Sequence, residues 1–503
     1  MMIKKTQSFS AFFKSLPLSI FLLFPLVLCA AEVKNSSQGQ IRQSVIEKAK
    51  LLAVTIDLSL STCAYESGPK KSSGSGFVID RKNGIIGTNA HVIGGPSLYE
   101  SYFVTFHNGK KVEAKPLYCD IWQDLGFLKI DPKEIPSGVP QVTFAKKGSV
   151  KEGDQVFSIS NSERAAFSFN SGYLSSLHCS KGLMPQHSFV VNYNQVGGSS
   201  GAPVFNTNGE VVAVNFAGSD SFRLAVNGQY LQYLMKFLSN NQQPVRRHTG
   251  AIVGFYSLSD AVKYKHFPKD IADKYMDELP LLRGNVLVID TIIKHSPAFD
   301  KMQSGDILWK IDGKILGADL YAFDESMNHS KGSVLINLYR YGKGFLDVTV
   351  DTYDINKHKI NKIVNVCDAY FVAADCFLAR YRGVPFGTVF CSSIDVSSPF
   401  YQQGITEYGM PNPLMCGFDV VEINNKAILS LNDLVDQALI AKEKHDLGLV
   451  LKATPRVPIY CFNRYDFLTT SYEVLKDVQL KHDFKLEVHT FDEEKSLWIK
   501  NVK

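Results

Sequence analysis

The stretch from Gln43 to Leu238 constrains the fold most, because it is divided into many short segments rich in β-branched and aromatic residues. Gly, Asn, Asp or Ser residues bound these segments, as they do at residues 74–80 and 154–160. Segments of this kind are typical of short strands joined by turns. Near the end of the stretch, Asn227 precedes apolar residues at helical spacing, and Asn is a residue type that caps helices. The pattern predicts an all-β barrel domain closed by a helix.

The length and charge of the chain limit its domain count and its partners. At 503 residues it exceeds what one hydrophobic core usually serves, so two to four domains are expected. A composition of 45% hydrophobic and 20% charged residues is that of an ordinary globular protein. The formal net charge of +5 is small for this length, and no long run of Lys or Arg is present. Nucleic acid is therefore not an expected partner.

The N-terminus has the pattern of a secretory signal. Lys4, Lys5 and Lys14 precede an apolar run at residues 16–31, which ends in small residues and leads into a polar stretch. This order predicts a signal peptide over residues 1–31 and a periplasmic location for the remainder. The alternative is an uncleaved membrane anchor, although the apolar run is shorter than the ~20 residues that a spanning helix needs.

The cysteines do not form a recognisable metal or redox motif. Their spacing contains no C-x-x-C pair, so neither zinc nor any other metal or cofactor is expected. Isolated buried thiols are favoured over a set of disulfides, although an oxidising compartment would permit bridges. Beyond residue 31 the cysteines are Cys63, Cys119, Cys179, Cys367, Cys376, Cys391, Cys416 and Cys461.

Three short motifs in the barrel region carry groups suited to catalysis. The first, at residues 74–95, opens with Gly-Ser-Gly and contains His91 where the second of its two strands ends. In the second motif, Asp124 leads directly into an apolar strand. The third is a glycine-rich turn at residues 197–204 that contains Ser200 and precedes another strand. Glycine tolerates the positive φ that lets the N–H groups of such a turn point at one spot.

The three motifs, in the order His, Asp, Ser, resemble those of the HtrA (Do-like, Deg-type) trypsin-fold serine proteases. The resemblance implies that His91, Asp124 and Ser200 form a catalytic triad. Ser200 would attack a peptide carbonyl, His91 would act as base and then as acid, and Asp124 would orient the imidazole. The backbone N–H groups of Gly198 and Ser200 are implied to form the oxyanion hole.

The chain departs from the pattern of this family at two places. Ser199 and Ala202 stand where the family usually has Asn and Gly, and neither change removes a backbone donor. Upstream, Asn194 and Gln195 occupy a stretch where the family commonly has small or aliphatic residues that line the substrate pocket. The two amides predict a more polar pocket. The alternative is that they turn outward and that the pocket stays small and apolar.

A polar linker at residues 239–244 is followed by a segment that resembles a bacterial PDZ domain. Residues 284–314 show a strand, then Ser-Pro-Ala, then Gly-Asp-Ile, then Ile-Asp-Gly. The resemblance implies a PDZ domain over residues 250–352, which would bind an extended peptide at a sheet edge. Arg246 and Arg247 could lie near a peptide carboxylate, but on a linker they are expected to be solvated.

A second, fainter copy of this pattern follows. Residues 387–390, 397–400 and 417–426 repeat its order and precede a helical segment, so a second PDZ-like domain is expected over residues 360–455. The remainder, residues 456–503, reads as a β-rich tail of unknown role.

The resemblance implies a mainly β fold, in which a trypsin-like double β-barrel at residues 32–240 is followed by two α+β PDZ-like domains. It implies a serine endopeptidase that hydrolyses unfolded or misfolded exported proteins and whose PDZ modules bind peptide segments. A homo-oligomer, a trimer or a multiple of trimers, is also implied. The alternative is a non-proteolytic chaperone or PDZ scaffold that has retained the protease fold.

Overall fold

The described part of the chain begins at Ile41. In the computed structural model, the predicted signal peptide and the pocket residues Asn194 and Gln195 lie outside the described residues. No helix among those described is both long enough and apolar enough to cross a membrane. The structure describes residues 41–61, 70–162, 165–179, 187–193, 197–219, 222–278, 284–382, 384–402, 418–443, 448–455, 474–480, 484–492 and 497–502.

Short helices connect or flank the sheets. Among the described residues, 3-10 turns lie at Pro132–Glu134 and Ile355–His358. The described α-helices are α1 Gln43–Leu52, α2 Ala90–Ile93, α3 Gly228–Leu238, α4 Leu258–Lys265, α5 Lys269–Glu278, α6 Leu320–His329, α7 Cys376–Arg382, α8 Pro399–Gln402 and α9 Leu431–Glu443.

The first barrel is closed by six antiparallel strands in the order β1-β2-β3-β6-β5-β4. Along β1, Ile56, Leu58 and Leu60 point inward and alternate with more exposed residues, as the two-residue period of a strand requires. The strands are β1 Ala53–Leu60, β2 Lys70–Asp80, β3 Ile85–Thr88, β4 Glu100–Phe106, β5 Lys111–Asp120 and β6 Leu125–Lys129.

The second barrel has the order β10-β11-β12-β9-β8-β7. The rings of Phe157 and Phe205 stack in its core with centroids 5.2 Å apart. The closing helix predicted from the sequence is confirmed as α3. The side chain of Asn227 caps it by accepting a hydrogen bond from the N–H of Gln229 at 3.0 Å. The strands are β7 Gln155–Ser162, β8 Ala165–Cys179, β9 Ser188–Val191, β10 Pro203–Asn206, β11 Val211–Ser219 and β12 Phe222–Asn227.

The first C-terminal module, residues 251–351, is a sheet of six described strands with α4, α5 and α6 beside it. Its order is β14-β15-β16-β18-β19, with β17 beside β16, so β14 is an edge strand. A two-stranded ribbon, β13 with β20, joins the segments that enter and leave the module. The strands are β13 Arg247–His248, β14 Ala251–Ser257, β15 Asn285–Ile292, β16 Ile307–Ile311, β17 Lys314–Ile315, β18 Ser333–Arg340, β19 Gly344–Asp351 and β20 Tyr353–Asp354.

The second C-terminal module, residues 362–502, has nine described strands in one sheet with α7, α8 and α9 beside it. The order is β27-β26-β24-β23-β22-β21-β28-β29, with β25 beside β24. The last three strands lie in the segment expected as a tail and extend this sheet at both ends. The strands are β21 Lys362–Val366, β22 Ala369–Ala373, β23 Val389–Ile394, β24 Phe418–Ile423, β25 Lys426–Ala427, β26 Gly448–Pro455, β27 Val474–Gln479, β28 Leu486–Asp492 and β29 Leu497–Val502.

The fold class expected from the sequence is confirmed. Two closed six-stranded barrels are followed by two units that combine a sheet with helices, and strands predominate throughout.

Candidate active site

His91 lies in the first turn of the short helix α2, directly after β3. Its Nδ1 is 2.7 Å from Oδ2 of Asp124, and its backbone N–H donates to Oδ1 of the same carboxylate at 2.9 Å. The imidazole is 45% exposed, whereas the Asp124 side chain is only 6% exposed. A ring that donates from Nδ1 to a carboxylate keeps Nε2 as an acceptor. A buried acid therefore fixes the orientation of the partly exposed imidazole of His91.

Asp124 lies in the tight turn between β5 and β6 and has a φ of 53°. This left-handed conformation is uncommon for a residue with a side chain, so the surroundings must impose it. The side-chain amide of Asn89 donates to the backbone carbonyl of Asp124 at 2.9 Å, and Asn89 is fully buried. Because Asn89 immediately precedes α2, it ties the turn to the segment that carries His91.

The start of the same turn is held by Asp120. Its Oδ1 accepts hydrogen bonds from the N–H groups of Trp122 at 3.0 Å and Gln123 at 3.1 Å. Its Oδ2 is 2.6 Å from Nε of Arg246, and both side chains are only 2% exposed. Burial of such a pair is tolerated because each charge meets its opposite at close range.

The expectation that Arg246 and Arg247 are solvated is wrong. Arg246 is buried against Asp120, and Arg247 donates from Nε to the hydroxyl of Thr352 at 2.8 Å. A run of polar residues between two domains predicts an exposed segment. Here Arg246 lies between the first barrel and the first C-terminal module, where it is buried and paired, and the half-buried Arg247 is paired as well.

Ser200 lies in the turn before β10, and β2 holds this turn in place. The N–H of Ser75 donates to the carbonyl of Ser200 at 2.8 Å, and the Ser75 hydroxyl donates to the carbonyl of Gly198 at 2.7 Å. The hydroxyl of Ser200 itself donates to the carbonyl of Phe216 at 3.1 Å. The turn is thus attached to both barrels, through β2 of the first and β11 of the second.

Two glycines allow this close approach. Gly201 has a φ of +88°, and a β-carbon there would lie 2.1 Å from the carbonyl oxygen of Ser75. A β-carbon at Gly74 would lie 2.7 Å from the side chain of Val92 in α2 and 3.4 Å from the carbonyl oxygen of Ser200. Gly74 therefore separates α2 from the Ser200 turn by little more than a backbone, and the first motif is brought against the third.

Ser199, which stands where the related family usually has Asn, takes part in a buried group of hydroxyls. Its Oγ lies 3.0 Å from that of Ser162 and 3.3 Å from that of Ser160. Ser199 is 1% exposed. These bonds satisfy a polar group that would otherwise cost free energy in the interior.

Sequence reasoning identified His91 and Asp124, which the structure brings into contact, and Gly198 and Ser200, which share one turn against β2. It did not identify Ser75 and Asn89 as supports, although both stand inside the first motif. Ser75 follows Gly74 and Asn89 stands two residues before His91, and this closeness to motif residues could have indicated their supporting role. Arg246 and Asp324, the partners of Asp120 and Gln123, lie far from them in sequence, so no neighbouring motif indicates these pairs.

Comparisons with known proteins agree with this architecture. The family described as "Trypsin-like peptidase domain" matches residues 74–214. The "Pro-apoptotic serine protease NMA111" of Saccharomyces cerevisiae is 28% identical over 341 residues, which are 65% of this chain and 34% of the yeast protein. The "PDZ domain-containing protein C23G3.12c" of Schizosaccharomyces pombe is 27% identical over 377 residues, which are 72% of this chain and 37% of that protein. The chain thus spans little more than a third of the length of these relatives.

Among solved structures, the "HtrA-type protease AlgW with tripeptide" superposes with a TM-score of 0.45 at 19% identity, covering 61% of this chain and 95% of that one. The region matched by the peptidase family contains the motifs of His91, Asp124 and Ser200. Residues 74–214 therefore form a trypsin-like peptidase domain, and over 65% of its length the chain is similar to the yeast serine protease NMA111.

Proposed function

We propose that the chain is a serine endopeptidase in which Ser200, His91 and Asp124 act as the catalytic triad. The observation that carries the proposal is the 2.7 Å contact between Nδ1 of His91 and the buried carboxylate of Asp124. It orients the 45% exposed imidazole of α2, a helix that lies close to the Ser200 turn on the other side of Gly74. A base held in this way is what activation of a serine hydroxyl requires.

The reaction would begin with rotation of the Ser200 hydroxyl away from the carbonyl of Phe216 and toward Nε2 of His91. This rotation would take place about χ1, the one side-chain torsion that places the Oγ of a serine. As Oγ bonds to the substrate carbonyl carbon, its proton passes to Nε2, and Asp124 stabilises the resulting imidazolium. The imidazolium then protonates the leaving amine as the C–N bond breaks. Water, deprotonated by His91, hydrolyses the acyl-enzyme and returns the hydroxyl to Ser200.

The negative oxygen of the tetrahedral intermediate requires donors. We assign this role to the backbone N–H groups of Gly198 and Ser200, whose turn is held by the hydrogen bonds from Ser75. Where a single donor of this kind has been removed from a serine protease, the rate fell by roughly 100-fold to 1000-fold.

The proposed substrates are unfolded or misfolded exported proteins, and the proposed role of the two C-terminal modules is to bind peptide segments. β14 supports this role for the first module, because an edge strand can be extended by a peptide strand. The predicted signal at residues 1–31 supports export. Assembly into a trimer or a multiple of trimers is part of the same proposal.

Casein degradation by the wild type and by Ser200→Ala tests the proposal. The wild type is expected to degrade casein and Ser200→Ala is expected to be inactive. Labelling with a fluorophosphonate separates the endopeptidase from a non-proteolytic scaffold. Modification of Ser200 supports the enzyme, and the absence of labelling and of degradation under all conditions would leave the scaffold.

A further inference from the structure

The turn that carries Asp124 is bonded to the first C-terminal module. Gln123, the residue before Asp124, donates from Nε2 to Oδ2 of Asp324 at 2.9 Å, across 201 positions of sequence. Gln123 is fully buried and Asp324 is 2% exposed. Hydrogen bonds to a carboxylate in such surroundings are among the stronger ones in proteins.

Asp324 reaches the protease because helix α6 has two buried faces. One face packs into the core of the module, and its residues are Leu320, Phe323 and Met327. The other face, one position further round the helix, is turned toward the barrels, and its residues are Tyr321, Asp324 and Asn328. Tyr321 belongs to the core of the barrels.

The contacts of the second face are specific. Tyr230 of α3 donates its hydroxyl to Oδ2 of Asp324 at 2.7 Å, so one carboxylate oxygen accepts from two protease side chains. The side chain of Asn328 accepts from the N–H of Arg247 at 2.9 Å. The helix is thereby attached to α3, to β13 and to the Asp124 turn.

The bond to Asp324 is what orients the side chain of Gln123. Within the described part of the chain, Oε1 of Gln123 is buried without a hydrogen-bond partner, and Nε2 bonds to Asp324 alone. Loss of that acceptor would leave a buried amide with neither end satisfied, at a cost of about 1–3 kcal/mol. The amide would then move to reach water. A shift of Gln123 would act on the turn at its left-handed residue, because Asp124, with a φ of 53°, is the next residue along the chain.

We propose that Asp324 is a positioning residue for the catalytic centre. Through Gln123, the first C-terminal module holds the Asp124 turn in the conformation that orients His91. This inference rests on the proposed endopeptidase function. It means that the protease domain is not complete without the module that follows it.

Inactivation of the full chain by a fluorophosphonate, resolved into the affinity KI and the rate constant kinact, tests this role. In Asp324→Ala, kinact should fall between about 10-fold and 100-fold, as expected for a misplaced catalytic group, whereas KI should stay unchanged. Asp324→Asn should restore kinact, because its amide oxygen accepts the same two hydrogen bonds. Glu325→Ala is the matched control, since Glu325 is on the same helix, is 36% exposed and lies 3.8 Å from Lys147. It should behave as the wild type.

A double substitution tests the route. If Asp324 acts through Gln123, then Gln123→Ala combined with Asp324→Ala should lower kinact no further than Gln123→Ala alone. The near-ultraviolet circular dichroism of each variant shows whether it is folded. Should Asp324→Ala not fold, Gln123→Ala decides, and its kinact is expected to fall in the same way.

The inference is overturned if Asp324→Ala, or a folded Gln123→Ala, is inactivated at the wild-type rate, or if the two effects multiply. Failure of Asp324→Asn to restore the rate would also overturn it. These outcomes require a wild type that reacts with the reagent. A wild type that does not react contradicts the proposed function itself.

Discussion

The guanidinium of Arg380 lies over the ring of Trp122, with Cζ 4.7 Å from the ring centroid. Arg380 belongs to α7 of the second C-terminal module, and Trp122 belongs to the turn that carries Asp124. Arg380 is 1% exposed, and within the described residues none of its side-chain nitrogens has a hydrogen-bond partner. Burial lowers the pKa of this guanidinium to about 9. The second module thus covers the turn that carries Asp124, and in doing so it buries the charge of Arg380, which costs free energy.

We therefore expect Arg380→Met to raise the free energy of unfolding by about 1 kcal/mol or more. Methionine keeps the apolar stem and removes the charge, whose burial cost exceeds the ~1–2 kcal/mol of a cation–π contact. Urea denaturation measures the change. Arg340→Met is the matched control and should destabilise, because Arg340 is paired through two hydrogen bonds with the buried Asp306. Destabilisation by Arg380→Met would contradict the expectation.

The rate of Ser200 modification should depend on the protonation of His91. An imidazole acts as a base only when neutral, and its ordinary pKa is about 6.5. As the pH falls below the pKa of His91, the rate should decrease about tenfold per pH unit. Inactivation by a fluorophosphonate between pH 5 and pH 8 measures this profile. A flat profile would indicate another chemistry or a limiting conformational step.

Asp324 should make stability depend on pH. Burial raises the pKa of its carboxyl from 3.8 to about 6, against the opposing effect of the Arg246 charge. The other ionisable groups around it are Tyr230, Asp120 and Arg380. Because the folded protein holds this proton more tightly, its contribution to stability is complete below about pH 4 and is lost as the pH rises through about 6, amounting to roughly 3 kcal/mol.

Asp324→Asn removes this titration, so its stability relative to the wild type should increase between pH 4.5 and pH 7.5. Urea denaturation at the two pH values measures the difference. Glu325→Ala, one position further along α6, should show no such trend. Equal pH dependence in Asp324→Asn and the wild type would show that the carboxyl is not shifted.

Ser75→Ala should slow the modification of Ser200. The Ser75 hydroxyl donates to the carbonyl of Gly198 and accepts from the N–H of Asn161 at 2.8 Å, so its loss leaves both groups unpaired. We expect a loss of about 1–3 kcal/mol of stability and a lower kinact. Thermal unfolding and fluorophosphonate inactivation measure the two effects. The control is Ser73→Ala, because Ser73 lies two residues earlier on β2 and is exposed. If both variants had the same stability and the same kinact, Ser75 would not be a support of the Ser200 turn.

Asn194 and Gln195 should make the pocket for the residue before the cleaved bond polar. An aliphatic substrate side chain would leave their amides unpaired, at about 1–3 kcal/mol for each buried group. Polar or medium-sized residues should then precede the cleaved bonds. Mass spectrometry of peptides from a denatured protein, digested by wild type and by Gln195→Ile, maps these sites. Cleavage almost only after Val, Ala or Ile by both enzymes would contradict the expectation.

The sequence was sufficient for the barrels and for the local parts of the site. Strand segments follow a two-residue pattern, and the motifs of His91 and Ser200 each lie within one short segment, residues 74–95 and 197–204. The partners of Gln123 and Asp120 could not be predicted in the same way. Asp324 is one acidic residue on an amphipathic helix, and such a residue is usually solvated. Only the docking of α6 against α3 makes it a buried acceptor.

Arg246 shows why the sequence predicts the wrong surroundings for the segment after the linker. The composition of a segment indicates whether the segment tends to be exposed to water. It does not indicate which other part of the folded protein will pack against it. Asp120 lies more than a hundred positions upstream, so no spacing rule connects the two charges. The desolvation of both follows from the way the first module seats on the barrel.

The two buried faces of α6 also constrain how this protein can change over evolutionary time. Replacing Asp324 by a side chain without an acceptor leaves Gln123 and Tyr230 unpaired, so we expect such a change only together with changes at those positions. The three sites are expected to covary among homologous chains, although they lie far apart in sequence. If the first module were replaced by that of another protein, the helix in the position of α6 would be complementary to the barrels of that other protein and not to these. We therefore expect recombination at the junction between the barrels and the first module to yield few functional variants.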